Sequence, residues 1–205
     1  SGKRSVKLPL FLAISLITDF YTGYMMCLFV ALYTFYVVFS SDVSLKAAVQ
    51  RIAKVALFAL IGVGLAAFWL LPVFSALLES KASAGITFAW SWNSVNDLVA
   101  MPQKFILGSF GEKEWGDSKA LPQLFIGGLG LFGLCTFFAK KEITIRKKLA
   151  ATVVLLALLL SFSIQGFDQI WHMGQRPVGF YFRNSWVANS FMLVLASESL
   201  MQWKD

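Results

Sequence analysis

The residues best suited to chemistry gather in one stretch. Phe167-Asp168-Gln169-Ile170-Trp171-His172 is followed by Gln175-Arg176-Pro177 and then by Phe180-Tyr181-Phe182-Arg183, and this stretch holds the chain's only histidine. An arginine suits a phosphate because its planar fork donates two hydrogen bonds at once and its charge survives desolvation. Aromatic faces suit a sugar ring or a lipid chain. Arg176 and Arg183 are therefore candidates for a phosphate, Trp171 for an acceptor, and His172 for acceptor positioning or for a catalytic base. A plainer reading stands beside this one. Trp, Tyr and Arg are the usual residues of a membrane interface, and a lone histidine is more often a hydrogen-bonded structural residue.

A second patch, Asp19-Phe20-Tyr21-Thr22-Gly23-Tyr24, interrupts an otherwise apolar run. A carboxylate at the end of broken helices can bind a metal, accept a proton or orient a sugar hydroxyl, with Tyr21 and Tyr24 beside it as binding residues. Equally, Asp19 can cap a helix while the tyrosines anchor at the interface. A third cluster, Glu112-Lys113-Glu114-Trp115-Gly116-Asp117, lacks the spacing of a calcium loop and reads as a solvated charge run. Cys27 and Cys135 lie in separate apolar runs with no neighbouring histidine, as packing thiols rather than metal ligands. No phosphate-binding loop, nucleophile elbow or zinc-protease motif occurs, so no cofactor is visible; a divalent cation fits the chemistry, but no ligand motif supports one.

The elements that carry these residues must live in lipid. Hydrophobic residues make up 58% of the 205, charged residues only 14%, against roughly 45–50% and about 25% in soluble domains. The net charge of +7 could suit nucleic acid, but the basic residues sit in short runs between apolar stretches, which is the pattern of membrane topology. A nucleic-acid partner is not expected. With about 20 apolar residues needed per crossing, the sequence predicts an all-α polytopic bundle of about six hydrophobic segments, near 8–18, 24–39, 55–78, 121–139, 149–164 and 185–203. External loops are expected at 79–120 and 165–184, and residues 1–205 form one transmembrane domain. Placing the N-terminus inside puts twelve of the 18 basic residues in cytoplasmic segments. The chain opens on Ser1 without a cleavable leader, so further helices of the same polypeptide are expected upstream.

Several motifs in order carry a family likeness. They are Asp19-Phe20-Tyr21-Thr22-Gly23-Tyr24-Met25, Leu70-Leu71-Pro72 closing a helix, Leu121-Pro122-Gln123-Leu124-Phe125-Ile126-Gly127 opening one, and Ile170-Trp171-His172 followed by Phe180-Tyr181-Phe182-Arg183. In these the chain resembles the YfhO family of bacterial multispanning membrane proteins, across nearly its whole length. Two positions depart from that family's pattern: Asp19 stands where Asn is usual, and Tyr181-Phe182 replaces Pro-Tyr before Arg183. The resemblance implies a GT-C type glycosyltransferase in the bacterial cell membrane. It would take a sugar from a polyprenyl-phosphate carrier and pass it to a cell-envelope acceptor such as lipoteichoic acid, on the outer face. It also implies a catalytic carboxylate in a first external loop, upstream of the residues present here. A transporter or flippase of a lipid-linked precursor, and a non-catalytic assembly subunit, are the competing classes.

Overall fold

The computed structural model describes residues 6–79, 90–91, 99–109, 121–174 and 182–201. Its regular elements are α1 (Lys7–Thr18), α2 (Phe20–Ser40), α3 (Leu45–Glu79), a 3-10 turn (Met101–Phe105), α4 (Gly127–Ala139), α5 (Ile145–Ser163), α6 (Gln165–Trp171) and α7 (Ser185–Met201). They fall into two compact units, residues 1–86 and 87–205.

In the first unit, α1 and α2 are broken apart at a single residue. Thr18 turns its hydroxyl back onto Ile14 O at 2.8 Å, and Asp19 takes an extended conformation with φ −149° and ψ 103°. The Asp19 carboxylate accepts from the Tyr21 N–H at 3.0 Å and from the Thr22 hydroxyl, so it caps α2. The hairpin closes tightly because Gly23 has no side chain. A Cβ there would stand 2.7 Å from Leu16 Cα. Gly62 of α3 does the same against α1, where a Cβ would meet Pro9 O at 2.9 Å. Small residues at helix crossings are the usual device where neither side gains from leaving water. Leu12, Leu16, Met25 and Ala66 fill the buried seam, while Leu60, Phe68, Leu71 and Phe74 of α3 point outward.

The second unit repeats the device. On α4, a Cβ at Gly133 would stand 2.8 Å from Ala196 Cβ of α7, and Thr136 shares a 2.7 Å hydrogen bond with Ser199. Phe137, Val154, Leu158, Phe191 and Leu195 are buried. Thr144 caps α5, accepting from Lys147 N at 3.4 Å, which brings Arg146, Lys147 and Lys148 into its first turn. Lys147 pairs with Glu198 of α7 at 2.8 Å.

The fold is all-α, but the expected count of six crossing segments is corrected. Among the described residues only α2 and α3 are long and apolar enough to cross a bilayer. At 12 and 13 residues, α1 and α4 reach about 18–20 Å, short of a hydrocarbon core of roughly 30 Å. Helix α7 has 17 residues, and α5 opens on three basic side chains that leave only its remainder apolar. A second correction concerns Pro72, expected to close a helix: α3 runs through it to Glu79. Of the stretch read as an external loop, 79–120, most lies outside the described residues, the Glu112–Asp117 cluster included.

Candidate functional site

Helix α5 stops at Ser163 because Ile164 turns extended, with φ −103° and ψ 115°. The chain then starts α6 under a strap formed by Trp90 and Ser91. Gln165 N donates to Ser91 O at 3.0 Å, and the Ser91 hydroxyl donates to Gln165 Oε1 at 2.9 Å. The Trp90 indole stands edge-on to Phe167 at 5.5 Å and covers Gly166, where a Cβ would come within 2.8 Å of the ring. Sequence reasoning placed this stretch in a loop and did not foresee α6.

The short helix buries its polar side chains. Asp168, Gln169 and His172 are 7%, 2% and 2% exposed. One helical turn separates Asp168 from His172, so the imidazole meets its own helix: Nδ1 lies 2.8 Å from Asp168 O and 3.4 Å from Asp168 Oδ1. A carbonyl oxygen only accepts, so the neutral ring carries its proton on Nδ1 and its basic lone pair on Nε2. Burial raises the Asp168 carboxyl to about 7. The His172 imidazole is pushed below its ordinary value, chiefly by burial; the hydrogen bond with the Asp168 carbonyl pulls the other way, and the charge of Arg183 adds a smaller downward push. Near pH 7 the imidazole is thus neutral and the carboxyl is divided between its acid and its carboxylate, so the contact is not a standing ion pair despite its spacing.

Helix α6 ends where Gly174 N donates to Gln169 O at 2.7 Å and both Met173 and Gly174 adopt left-handed backbone, φ 56° and 83°. Phe182, also at φ 56°, brings the chain into α7 with its ring edge-on to Phe162 at 6.0 Å. Asn184 Nδ2 lies 3.5 Å from Ser161 Oγ, joining the start of α7 to the end of α5. Arg183 is exposed. A buried acid and base with an exposed cation within electrostatic reach can move a proton and hold an anion.

A family profile described as "Bacterial membrane protein YfhO" matches residues 1–205. The chain belongs to the YfhO family. No curated protein and no solved structure matches it. Family membership and the two apolar helices together make it a membrane-associated protein.

In this YfhO-family chain the expected site residues fall in both units. Asp19, Tyr21 and Tyr24 belong to the first, where Asp19 is the cap of α2 and Tyr21 stacks edge-on with Phe20 at 6.4 Å. Trp171, His172 and Arg183 belong to the second; Trp171 is buried at 5% exposure, and Arg183 lies near enough to His172 for its charge to act. Arg176 lies outside the described residues. Asp168 was not singled out as a site residue from the sequence. Its spacing of four from His172 was the available signal, readable only once the stretch is known to be helical. Among the described residues no three His, Cys, Asp or Glu side chains gather as they would around a metal ion.

Proposed function

We propose that the chain is part of a bacterial membrane glycosyltransferase that takes a sugar from a polyprenyl-phosphate carrier and passes it to a hydroxyl of a cell-envelope polymer. Arg183 holds the carrier phosphate through its two-pronged guanidinium. His172 accepts the proton of the acceptor hydroxyl at Nε2 as that oxygen bonds to the anomeric carbon, while the carbon–oxygen bond to phosphate breaks and the phosphate leaves with the electron pair. Asp168 keeps the ring oriented and, in its carboxylate form, which is populated near pH 7, balances the imidazolium. Trp171 and Arg176 flank this group in sequence and serve acceptor and phosphate. In the first unit, taken by itself, Asp19, Tyr21 and Tyr24 contact sugar or fix the geometry of the α1–α2 corner.

The observation that carries this reading is the nearness of Arg183 to His172 in a member of a bacterial membrane protein family. An anion held by Arg183 offsets that residue's charge, the lesser of the two effects that lower the imidazole, so carrier binding raises the base toward its ordinary value. The test is direct. Membranes containing the full-length protein are supplied with a polyprenyl-phosphate-linked radiolabelled sugar, and label in envelope polymer is measured with and without the protein. Protein-dependent transfer supports the reading. Movement of the carrier across the membrane without transfer overturns it in favour of a transporter.

The proposal includes an orientation. Lys46, Arg51 and Lys54 crowd the first turns of α3, so the end of the α2–α3 hairpin that bears them faces the cytoplasm.

A further inference from the structure

Helices α2 and α3 leave a cavity of about 260 Å³ between them. Its walls are Val30, Thr34 and Phe35 of α2 and Ile52, Ala56 and Ala59 of α3, one face from each helix. The lining is apolar almost throughout: the Thr34 hydroxyl is turned onto Val30 O at 2.7 Å. Small-molecule sites occupy roughly 300–1,000 Å³, so a groove of about 260 Å³ suits a single alkyl chain rather than a ring system. Among the described residues α2 and α3 are the two helices long and apolar enough to cross a bilayer, so a groove between them is open to lipid chains.

Charge at the rim selects among lipids. Lys46, Arg51 and Lys54 are exposed on the first turns of α3, and Asp42 is the only acid between Asp19 and Glu79. Lys54 lies along its own helix, its ammonium 5.9 Å above the Phe58 ring. Arg51 directly precedes Ile52, the groove residue nearest this end, and its fork is suited to a phosphodiester. Basic residues at the end of a membrane helix attract anionic headgroups. We propose that the groove seats one acyl chain of an anionic phospholipid whose phosphate is held by Arg51, which shares a helical row with the groove residues Val55 and Ala59.

The experiment uses the full-length protein in nanodiscs of phosphatidylcholine doped with phosphatidylglycerol that carries a photoactivatable acyl chain, with adducts mapped by mass spectrometry. Adducts should concentrate on 30–35 and 52–59. Ala56→Trp, which fills the groove, and Arg51→Gln should each lower them by roughly fivefold, the ratio expected for one lost anchor. Labelling of the outward residues Leu60, Phe68 and Leu71 should not change. Arg51 is exposed, so its variant carries the test if Ala56→Trp fails to fold. Adducts spread evenly over the outer face of α3, or equal yields from phosphatidylcholine carrying the same photoactivatable chain, would overturn the proposal. So would displacement by a polyprenyl phosphate but not by phosphatidylglycerol, or crosslinks from the groove to another protein segment or a second copy.

Discussion

Asp168 and His172 face each other within one turn of α6, Oδ1 to Nδ1 at 3.4 Å, with both side chains buried. Desolvation dominates their attraction: it raises the acid to about 7 and lowers the base. Paired ions this far from water would each carry a large penalty. A neutral imidazole avoids half of it, and a proton arriving at His172 while Asp168 is ionised completes the charged pair.

The raised acid gives stability a definite pH dependence. Between the ordinary carboxylate value of 3.8 and about 7 the folded protein holds a proton on Asp168 that the unfolded chain has lost, so this group's contribution falls as pH rises across that window. His172 acts oppositely, costing stability as pH falls below 6.5 toward its lowered folded value. Asp168→Asn should therefore stabilise the protein at pH 8, on the order of 1–3 kcal/mol, with the gain shrinking toward pH 5. Thermal unfolding in detergent at the two pH values measures it. A gain that is the same at both would show that Asp168 is not held protonated.

Gly23→Ala should destabilise by about 1–3 kcal/mol, since the new methyl would press on the Leu16 backbone, which cannot move without opening the hairpin. Gly64 is the control: nothing lies within 4 Å of its Cβ position, so alanine there should be neutral or mildly stabilising. The same unfolding assay ranks the two, and equal tolerance would mean that α1 and α2 do not pack at this point.

Asp19→Asn should be tolerated and Asp19→Ala should cost about 1 kcal/mol, because the carboxylate's visible work is accepting from Tyr21 N and Thr22, which an amide oxygen also does. If activity disappears in Asp19→Asn while expression and stability hold, the charge itself acts on substrate.

Much of this architecture was legible in particular residues. The polar patch at Asp19 announced the α1–α2 break because an acid, with a glycine four residues on, interrupts an apolar run. The number of crossings was not legible, because apolar runs overstate helix length. The run opening at Leu121 becomes helical only at Gly127, whose φ of 78° turns the chain, and Arg146, Lys147 and Lys148 lie inside α5 rather than before it. Local pattern finds apolar residues, whereas helix ends are set by caps and tertiary contacts. For the site, His172 and Arg183 stood out by type. Asp168 did not, because its importance comes from burial on a helix whose start is fixed by the long-range contact of Gln165 with Ser91, which no local pattern encodes.

The orientation of the α2–α3 hairpin can be read by cysteine labelling. With Cys27 and Cys135 replaced by serine, Ser44→Cys should resist a membrane-impermeant thiol reagent in intact cells and react once the cells are opened. Reaction in intact cells would place the Lys46, Arg51 and Lys54 end outside.

The most direct test of the central claim is carrier-dependent sugar transfer by the full-length Arg183→Lys protein. Lysine keeps the charge and loses the fork. If Arg183 clamps the carrier phosphate, transfer should fall at least about tenfold, the equivalent of roughly 1.4 kcal/mol of transition-state stabilisation. If Arg183 only reaches toward lipid headgroups, lysine serves as well. Wild-type turnover in Arg183→Lys, with normal expression, would contradict the account and remove Arg183 from the site.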